Sequence, residues 1–465
     1  MGKPLLEHFL FYRHPSAQGP SKKALALVFI LSLCLRWLFL FFWGGLLFPD
    51  ATGRYLPVSE ELFTHWSGTV YDTPGYPVFL ALSARSVGAG TATLYVQGLI
   101  DSLSVIMIFD IAARILRPGP ALKIAIFFAI HFGAIAFAAA ILSETLFTFF
   151  VVTAIWRFAR LGDSAHWLKW GLPGIALGFA ALTRANGVAT IPAFALSLGL
   201  CHTARYRWRR LAAFLIAAAL PVAGWVQFNA RINGVRAIAQ GGGWQWLQNL
   251  AYFDLVQPGT LPPPHDRTYR DWTSLTRLRQ DMMARHRAHP GKVDPMLGAL
   301  ARENAAARPL AYLLKLPAAW LLPRRFVKDM TAMALQVTAA GNQAEPATEK
   351  YAHWQSDRHP PAMLTLGYRL LRSLTVLPYK YSLLIAALPA LLWVAWRRRD
   401  GWLLTLTLLP LSQALPLLLL LNPIERYYFP FESLMIIALF RGFLLRRGSI
   451  AAPHGQPPTS QRSIG

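Results

Sequence analysis

The sequence predicts an all-α polytopic membrane protein with about ten transmembrane helices. Hydrophobic residues make up 54% of its 465 residues, charged residues make up 15%, and the mean hydropathy is +0.36, a composition unlike that of water-soluble domains. Ten apolar runs approach the roughly 20 residues that a helix needs to cross a bilayer core. They centre on 24–48, 93–113, 121–141, 145–161, 170–183, 187–201, 211–230, 377–396, 402–421 and 427–445.

The distribution of Lys and Arg predicts a cytoplasmic N-terminus. If the runs cross alternately, the short inner loops carry 19 Lys and Arg and the short outer segments carry four, as the positive-inside rule requires. Much of the net charge of +24 is therefore explained by basic residues in the predicted inner loops, which orient the chain in the membrane. Because the basic residues are divided among separate loops, no nucleic-acid partner is expected. The two cysteines, Cys34 and Cys201, do not suggest a disulfide framework.

The apolar runs divide the chain into five regions. The first run is too long for a signal-peptide core, so it is expected to be an uncleaved anchor. The regions are a cytoplasmic N-terminus at 1–23, an N-terminal transmembrane region at 24–230 that contains the first outer loop 49–92, an outer (periplasmic) segment at 231–376, C-terminal transmembrane helices at 377–445 and a disordered cytoplasmic tail at 446–465. We expect interfacial helices in the first outer loop and mostly helical structure in the outer segment.

Within the outer segment, the apolar stretch 309–322 is expected to be an interfacial helix rather than an eleventh span. It is short for a span, contains Lys315 and Pro317, and as a span would move the basic loop 397–399 to the outer side.

Ionisable residues that are expensive at membrane depth gather on the predicted outer side. They include Asp50, Asp72, Glu144, Arg184 and Arg426. A carboxylate here could take a proton from an acceptor hydroxyl, and an arginine could stabilise a departing phosphate. The alternative is structural: Asp50 as a helix-end carboxylate, Asp72 as a turn initiator, the others as ion pairs or interface anchors. Asp101 and Asp110 are expected to form hydrogen bonds between helices.

Five motifs along the chain, in the expected order, resemble those of a known family. Pro49-Asp50 with Tyr55, and the turn Thr73-Pro74-Gly75-Tyr76-Pro77-Val78-Phe79-Leu80-Ala81, resemble the first outer loop of GT-C membrane glycosyltransferases. This polyprenyl-phosphate-sugar-dependent group includes protein O-mannosyltransferases and aminoarabinose lipid A transferases. Later landmarks are Leu142-Ser143-Glu144-Thr145-Leu146-Phe147, Gly178-Phe179-Ala180-Ala181-Leu182-Thr183-Arg184 and Glu425-Arg426-Tyr427-Tyr428-Phe429-Pro430. The resemblance covers about 24–230 and 377–445.

The resemblance implies a GT-C-like helical bundle and an inverting transfer in which Asp50 is the general base. It also implies that Arg184 and Arg426 hold the donor phosphate. The expected substrate-binding set is Tyr55, Asp72, Tyr76, Glu144, Arg184, Arg426 and Tyr427. The tyrosines could stack on a sugar or belong to an aromatic belt at the membrane surface.

The expected partners are a polyprenyl-phosphate-linked sugar donor, membrane lipids and an acceptor that is an envelope lipid, glycan or protein. No metal site and no cofactor are expected, because the histidines lack acidic partners at ligand spacing; dependence on a divalent cation stays open. The absence of an Asn-x-Ser/Thr sequon favours a bacterial inner membrane, with the active site facing the periplasm. The competing hypothesis is a transporter or flippase for a lipid or amphipathic solute, but internal repeats, typical of that class, are not evident.

Overall fold

The computed structural model describes residues 11, 19–48, 50–62, 73–161, 165–201, 207–253, 255–257, 272–286, 290–321, 326–336, 349–354, 358, 360–377, 380–419 and 428–446. Over these residues the chain is built from helices and has no strand, which agrees with the predicted all-α class. An isolated parallel bridge pairs Leu46 with Ala140.

Up to Asn233, the described residues form ten α-helices. They are α1 (Lys22–Trp43), α2 (Leu56–Glu61), α3 (Gly75–Val87), α4 (Thr91–Ile115), α5 (Pro118–Ile130), α6 (Phe132–Ala139), α7 (Glu144–Arg160), α8 (Gly171–Thr183), α9 (Thr190–Cys201) and α10 (Arg207–Asn233). A π-helical turn, Ala51–Tyr55, leads into α2, and 3₁₀ turns lie at Trp167–Trp170 and Ala185–Ala189.

The helices that follow are α11 (Gly242–Tyr252), α12 (Trp272–Arg285), α13 (Val293–Ala307), α14 (Pro309–Leu321), α15 (Phe326–Gln336), α16 (Ala362–Thr375), α17 (Lys380–Arg398), α18 (Gly401–Leu419) and α19 (Glu432–Arg446). Short 3₁₀ turns occur at Pro290–Lys292, Glu349–Trp354 and Phe429–Phe431.

Four helical stretches of the described chain are long and apolar enough to cross a bilayer: Lys22–Trp43, Thr91–Ile115, Arg207–Asn233 and Ala362–Arg398, the last comprising α16 and α17. A fifth would be α5 with α6, which bend by 44° at His131. The chain is therefore an integral membrane protein by composition and helix length. The predicted number of ten stays a prediction, because helices such as α8, α9 and α19 have only 13, 12 and 15 residues.

Glycines allow α8 and α10 to pack closely. A Cβ on Gly174 would lie 2.2 Å from the Phe214 carbonyl oxygen, and one on Gly178 would lie 2.6 Å from that of Ala218. Small residues four apart let two helix backbones approach, as they commonly do in membrane proteins. This contact joins two of the predicted N-terminal spans.

Buried ion pairs connect helices inside the bundle. Arg36 Nε on α1 donates to Asp101 Oδ2 on α4 at 2.5 Å, and other Arg36 nitrogens donate to the carbonyls of Phe128 and Ala129. Asp110 accepts from Trp156 and Arg160 of α7, both at 2.8 Å. The expectation that Asp101 and Asp110 link helices is confirmed, and each buried charge has a partner, as its desolvation requires.

The outer helices have a hydrophobic cluster of their own. It is built from α11, α12 and α13 around Leu247, Leu250, Leu275, Val293 and Leu297. The stretch predicted as an interfacial helix forms α14, which contacts α13 and also α17 and α18. It therefore joins the outer helices to the C-terminal transmembrane region.

Candidate active site

Asp50 lies at the entrance to the π-helical turn Ala51–Tyr55. Such wide turns are rare and occur frequently at functional sites. Arg54 Nη1 donates to Asp50 Oδ1 at 3.0 Å, and the Asp50 side chain is 27% exposed. The carboxylate is thus oriented by a neighbouring cation while one side stays open to solvent.

Two tyrosines form an aromatic wall beside this turn. The rings of Tyr55 and Tyr76 meet edge to face with centroids 4.9 Å apart. Arg54 lies over the Tyr55 ring, with 5.6 Å from Cζ to the centroid. Tyr55 Oη lies 3.4 Å from Ser143 Oγ, on the residue before α7. The first outer loop is therefore in contact with the start of α7.

Gln97, inside the predicted second span, holds Tyr76 in place through a hydrogen bond. Tyr76 Oη donates to Gln97 Oε1 at 2.9 Å, and Gln97 Nε2 donates to the carbonyls of Phe137, Ala138 and Ala140 at 3.1, 3.1 and 2.7 Å. Burial raises the pKa of Tyr76, with Tyr55 and Glu144 adding to the shift, so the phenol stays protonated and donates. The amide of Gln97 therefore satisfies carbonyl groups at the C-terminal end of α6.

Backbone hydrogen bonds also join the segment before Asp50 to the segment before Glu144. Leu46 N donates to the Ala139 carbonyl at 2.9 Å, and Ile141 N donates to the Leu46 carbonyl at 3.3 Å. Because Asp50 follows Leu46 by four residues and Glu144 follows Ile141 by three, the bridge sets the two carboxylate-bearing segments side by side.

Glu144 and Arg184 form a buried ion pair. Arg184 Nη1 lies 2.5 Å from Glu144 Oε1, with side chains 10% and 1% exposed, and the same nitrogen lies 3.4 Å from Ser143 Oγ. Glu144 begins α7, where the positive end of the helix dipole favours a carboxylate. Arg184 follows the last residue of α8 in an extended conformation, so its guanidinium reaches back to α7.

The start of α3 is held against the end of α8. Thr73 Oγ1 donates to the Thr183 carbonyl at 2.8 Å, and a Cβ on Gly75 would lie 2.8 Å from the Leu182 carbonyl oxygen. The Pro-Gly-Tyr-Pro turn therefore requires glycine at this position because of the close approach. It brings Tyr76 and Arg184 to the same end of the bundle.

Of the sequence-predicted site residues, the structure places Asp50, Tyr55, Tyr76, Glu144 and Arg184 in one connected cluster of four chain segments. Asp72, Arg426 and Tyr427 lie outside the described residues, as do Pro49 and Glu425 of the motifs. Sequence reasoning did not single out Arg54 as the partner of Asp50, or Gln97.

A second polar cluster, also missed from the sequence, lies where α17 and α19 begin. Lys380 Nζ donates to Glu432 Oε1 at 2.6 Å, Tyr381 Oη donates to Glu432 Oε2 at 2.5 Å, and His131 Nε2 lies 3.3 Å from Glu432 Oε1. All four side chains are buried. An ionisable residue within an apolar run is itself a signal, and applied to His131 and Glu432 it would have found this cluster.

This second cluster positions the turn that precedes α19. Phe429, in the turn just before Glu432, packs on the ring of Phe137 at 4.2 Å between centroids, and Phe431 packs on Phe147 at 5.9 Å. The Lys380–Glu432 pair thus holds the 428–432 turn against α6 and α7, which carry the candidate site.

Among the described residues, no group of three or more His, Cys, Asp or Glu could hold a metal ion. The chemistry available to the described cluster is that of one partly exposed carboxylate, one buried ion pair and two tyrosines.

Part of the chain is similar in sequence to a known family. Residues 72–225 match the family model described as dolichyl-phosphate-mannose-protein mannosyltransferase, and this stretch contains Tyr76, Glu144 and Arg184. The match confirms the resemblance and the enzyme class that the motifs predicted. No curated protein matches the chain by sequence.

Solved structures that are similar to this chain include ArnT from Cupriavidus metallidurans bound to undecaprenyl phosphate, at 15% identity and TM-score 0.38, covering 92% of this chain and 80% of that one. Another is the oligosaccharyltransferase AglB from Archaeoglobus fulgidus with an inhibitory peptide and a dolichol-phosphate, at 15% identity and TM-score 0.43. The match covers 94% of this chain and 52% of AglB, so this chain spans about half the length of that protein.

Proposed function

We propose that the protein is an inverting glycosyltransferase that moves a sugar from a polyprenyl-phosphate carrier to a hydroxyl of an envelope lipid, glycan or protein, at the periplasmic face of a bacterial inner membrane. The observation that carries the proposal is the contrast between two carboxylates in one cluster. Asp50 is 27% exposed, whereas Glu144 is 1% exposed and bound to Arg184. A general base must reach its substrate, so Asp50 takes that role.

The proposed reaction is a single displacement. An Asp50 oxygen takes the proton from the acceptor hydroxyl while the acceptor oxygen forms a bond to the anomeric carbon from the face opposite the phosphate. The bond between the anomeric carbon and the phosphate oxygen breaks, and its electron pair leaves with the lipid phosphate. The proton on Asp50 then passes to water. Arg54, which contacts Asp50 Oδ1, orients the carboxylate for this transfer.

The departing phosphate needs a cation, and Arg184 provides one. Its guanidinium lies at the same end of the bundle as Asp50, connected through Ser143 and Tyr55. A guanidinium binds phosphate oxygens in a planar fork and stays charged, and Glu144 fixes its orientation. Arg426 as a second phosphate ligand comes from the family resemblance. Asp72, Tyr55, Tyr76 and Tyr427, expected from the sequence as substrate contacts, complete the proposed site.

The donor class is proposed from the same resemblance and from the description of the matching family, which names a dolichyl-phosphate-linked sugar. Polyprenyl phosphate and dolichyl phosphate present the same phosphate-linked sugar at the membrane surface. Because the match ends at residue 225, it says nothing about the acceptor side of the outer segment.

The test is sugar transfer by the purified protein in detergent. The donors are synthetic polyprenyl phosphates that carry radiolabelled mannose, glucose, galactose or 4-amino-4-deoxyarabinose, and the acceptor is an extract of envelope membranes. The readouts are label in the acceptor and release of polyprenyl phosphate. We expect Asp50→Asn to lower kcat by roughly 10²–10⁴ with donor binding retained, since a positioned base contributes about that factor.

The matched control is Glu144→Gln, which changes the buried carboxylate of the same cluster. We expect it to weaken donor binding through Arg184 rather than to remove the base. Turnover of Asp50→Asn at the wild-type rate would move the base to Glu144. Donor binding without transfer in the wild type, with transport of the lipid across vesicles, would instead support the flippase hypothesis.

A further inference from the structure

The 3₁₀ turn Glu349–Trp354 of the outer segment packs against the chain that leads from α1 to Asp50. Gly45 N, between α1 and Asp50, donates to the Trp354 carbonyl oxygen at 2.6 Å. The Tyr351 and Trp354 side chains are buried and belong to the main hydrophobic core of the bundle. Part of the outer segment is therefore built into the bundle beside the segment that carries Asp50.

Two glycines, one near each end of the first outer loop, make room for this turn. A Cβ on Gly45 would lie 2.6 Å from the Trp354 carbonyl oxygen, and a Cβ on Gly90 would lie 2.6 Å from the His353 carbonyl oxygen. Both distances are too short for a real Cβ beside backbone, so each position requires glycine while the turn stays in place. Since Gly45 lies before Asp50 and Gly90 lies before α4, the turn contacts the chain near both ends of the loop.

Arg358 joins the same region to α1. In a continuous helix, Gly45 N would donate to the Phe41 carbonyl, four residues earlier. Here Gly45 N donates to Trp354 instead, and Arg358 Nη1 donates to the Phe41 carbonyl at 3.4 Å. The Arg358 guanidinium also lies over the Phe41 ring, with 3.8 Å from Cζ to the centroid. We call the turn Glu349–Trp354 together with Arg358 the loop clasp, because it binds both backbone groups that would otherwise have continued α1.

Few residues separate the loop clasp from Asp50. Gly45 precedes Asp50 by five residues, and the next residue, Leu46, forms the bridge to the end of α6. Leu46 N donates to the Ala139 carbonyl at 2.9 Å, and the Leu46 carbonyl accepts from Ile141 N at 3.3 Å. The clasp and the bridge thus hold adjacent residues, so a displacement of Gly45 disturbs the bridge that sets the Asp50 segment beside the start of α7.

We propose that the loop clasp positions Asp50 for proton transfer, with Trp354 as the positioning residue. Its carbonyl holds the backbone before Asp50 through Gly45, and its buried indole anchors that carbonyl in the core. A base must lie within hydrogen-bond reach of the acceptor hydroxyl, so the backbone that carries it has to be fixed. The positioning role rests on the proposed function, in which Asp50 is the base, whereas the hold of the clasp on the loop does not.

The first test is Gly45→Ala in the transfer assay described above. The new Cβ would collide with the Trp354 carbonyl, so the clasp and the loop must separate. We expect kcat to fall by about 10²-fold, the cost of misplacing a positioned group by about 1 Å, with donor KM within about threefold because Arg184 keeps its partner Glu144. Gly367→Ala on α16 is the matched control, since nothing lies within 4 Å of its Cβ, and it should keep kcat within about twofold. Equal loss in both variants would overturn the proposal.

A double variant separates two collisions at the same position. A Cβ on Gly45 would also lie 2.6 Å from Leu94 Cδ1 of α4. Gly45→Ala/Leu94→Ala removes that collision and keeps the one with the Trp354 carbonyl, so we expect its kcat to stay about 10²-fold below that of Leu94→Ala alone. Recovery of kcat to the level of Leu94→Ala would assign the effect to α4 and overturn the role of the clasp.

Arg358→Gln tests the clasp at an exposed side chain, where folding is least affected. We expect kcat to fall by about threefold to tenfold, the size of one exposed cation–π contact together with one hydrogen bond. Arg358→Lys keeps a cation for the Phe41 ring and should recover part of the loss. Arg369→Gln, which removes an exposed arginine of α16, is the control, and an equal fall of kcat in this variant would contradict the clasp.

The position of the loop can also be measured without sugar transfer. In a background with Cys34→Ala and Cys201→Ala, the rate at which iodoacetamide alkylates Asp50→Cys reports how exposed this position is. The Asp50 side chain is 27% exposed while the loop is held, so adding Gly45→Ala should raise the rate by about fivefold or more, and adding Gly367→Ala should not. An unchanged rate with Gly45→Ala would overturn the hold of the clasp on the loop.

The two measurements distinguish this inference from the proposed function. Faster alkylation with Gly45→Ala, but no sugar transfer by the wild type, would support the hold of the clasp on the loop and contradict the proposed function. Faster alkylation together with a wild-type kcat in Gly45→Ala would overturn the positioning role. Thermal melting of every variant verifies folding, and Arg358→Gln serves in both measurements if Gly45→Ala does not fold.

Discussion

Glu144 and Arg184 form a buried ion pair to which we assign two roles, stability and the proposed binding of the donor phosphate. Their side chains are buried and 2.5 Å apart, so removal of either one leaves a charge without its partner. We predict that Arg184→Gln destabilises the protein by roughly 3–5 kcal/mol, the usual cost of breaking a buried pair, and also raises the KM for the donor.

The double variant Arg184→Gln/Glu144→Gln separates the two effects. With both charges removed, thermal stability should recover by more than half, because no charge is left buried alone. Donor KM should stay raised, because the phosphate ligand is still missing. Recovery of both stability and KM would show that Arg184 is structural only.

Lys315 predicts a pH dependence of the outer helices. Burial against the rings of Tyr312 and Phe253, where Asn249 accepts its hydrogen bond, lowers the pKa of Lys315 to about 7. An unfolded lysine titrates near pH 10.4, so between about pH 7 and 10 the unfolded chain binds more protons and stability rises with pH. Below about pH 7 both states are protonated and the folded state bears the full cost of the buried charge.

The measurement is thermal melting from pH 6 to 9.5, with wild type beside Lys315→Met, which keeps the length of the side chain. We expect the melting temperature of the variant to be higher by a few degrees at pH 6, and its rise with pH to be smaller. A variant whose profile runs parallel to that of the wild type would show that another group titrates.

At the scale of elements, the close contact of α8 with α10 is the most sensitive to a single methyl group. Gly174→Ala would place a Cβ 2.2 Å from the Phe214 carbonyl oxygen, so the helices must separate. We predict a loss of about 1–3 kcal/mol in stability, the usual cost of overpacking, with lower activity because α8 ends at Arg184.

Gly224→Ala, on the partner helix α10, is the matched control, because nothing lies within 4 Å of a Cβ at this position. It should keep or raise the melting temperature, since alanine favours helix over glycine. Equal loss of stability in Gly174→Ala and Gly224→Ala would place the effect in the helix backbone rather than in the interface.

Some elements could be predicted from periodicity and others could not. The run 24–48 corresponds to α1, and 93–113 to α4, because each is mostly apolar and long enough for one helix. The run 121–141 instead forms α5 and α6 with a bend of 44°, because His131 leaves the helix and its Nδ1 accepts from Ala134 N. Apolarity shows where a helix is possible, but it does not show where a side chain interrupts one.

The sequence indicated several residues of the candidate site, but it did not show which of them contact each other. Glu144 and Arg184 were both expected, since charged residues at membrane depth need partners, and they partner each other. The contact of Tyr76 with Gln97 depends on how α3 lies against α4, which one sequence does not specify. The Lys380–Glu432 pair joins residues 52 positions apart for the same reason.

For the whole molecule, topology is the property to test. We predict that an impermeant maleimide added to spheroplasts labels Gly53→Cys and Lys292→Cys, and that it labels Lys169→Cys only after permeabilisation. All three positions are exposed, and the background should carry Cys34→Ala and Cys201→Ala. The reason is the 19 to four distribution of basic residues between inner and outer loops. Labelling of Lys169→Cys in intact spheroplasts would reverse the orientation.

The order of the chain has a consequence for biogenesis. Every described residue of the candidate site lies between positions 50 and 184, and the Leu46–Ala140 bridge joins the segment just before Asp50 to the segment before Glu144. Since N-terminal units can fold during synthesis, the candidate site can form while the ribosome is still translating the residues that follow it. The last helices then dock onto it, and Glu432 meets Lys380 and His131 only after nearly the whole chain has been made. A chain truncated before Glu432 would insert into the membrane without the contacts of Glu432 to Lys380 and His131, and we expect quality-control proteases to degrade it.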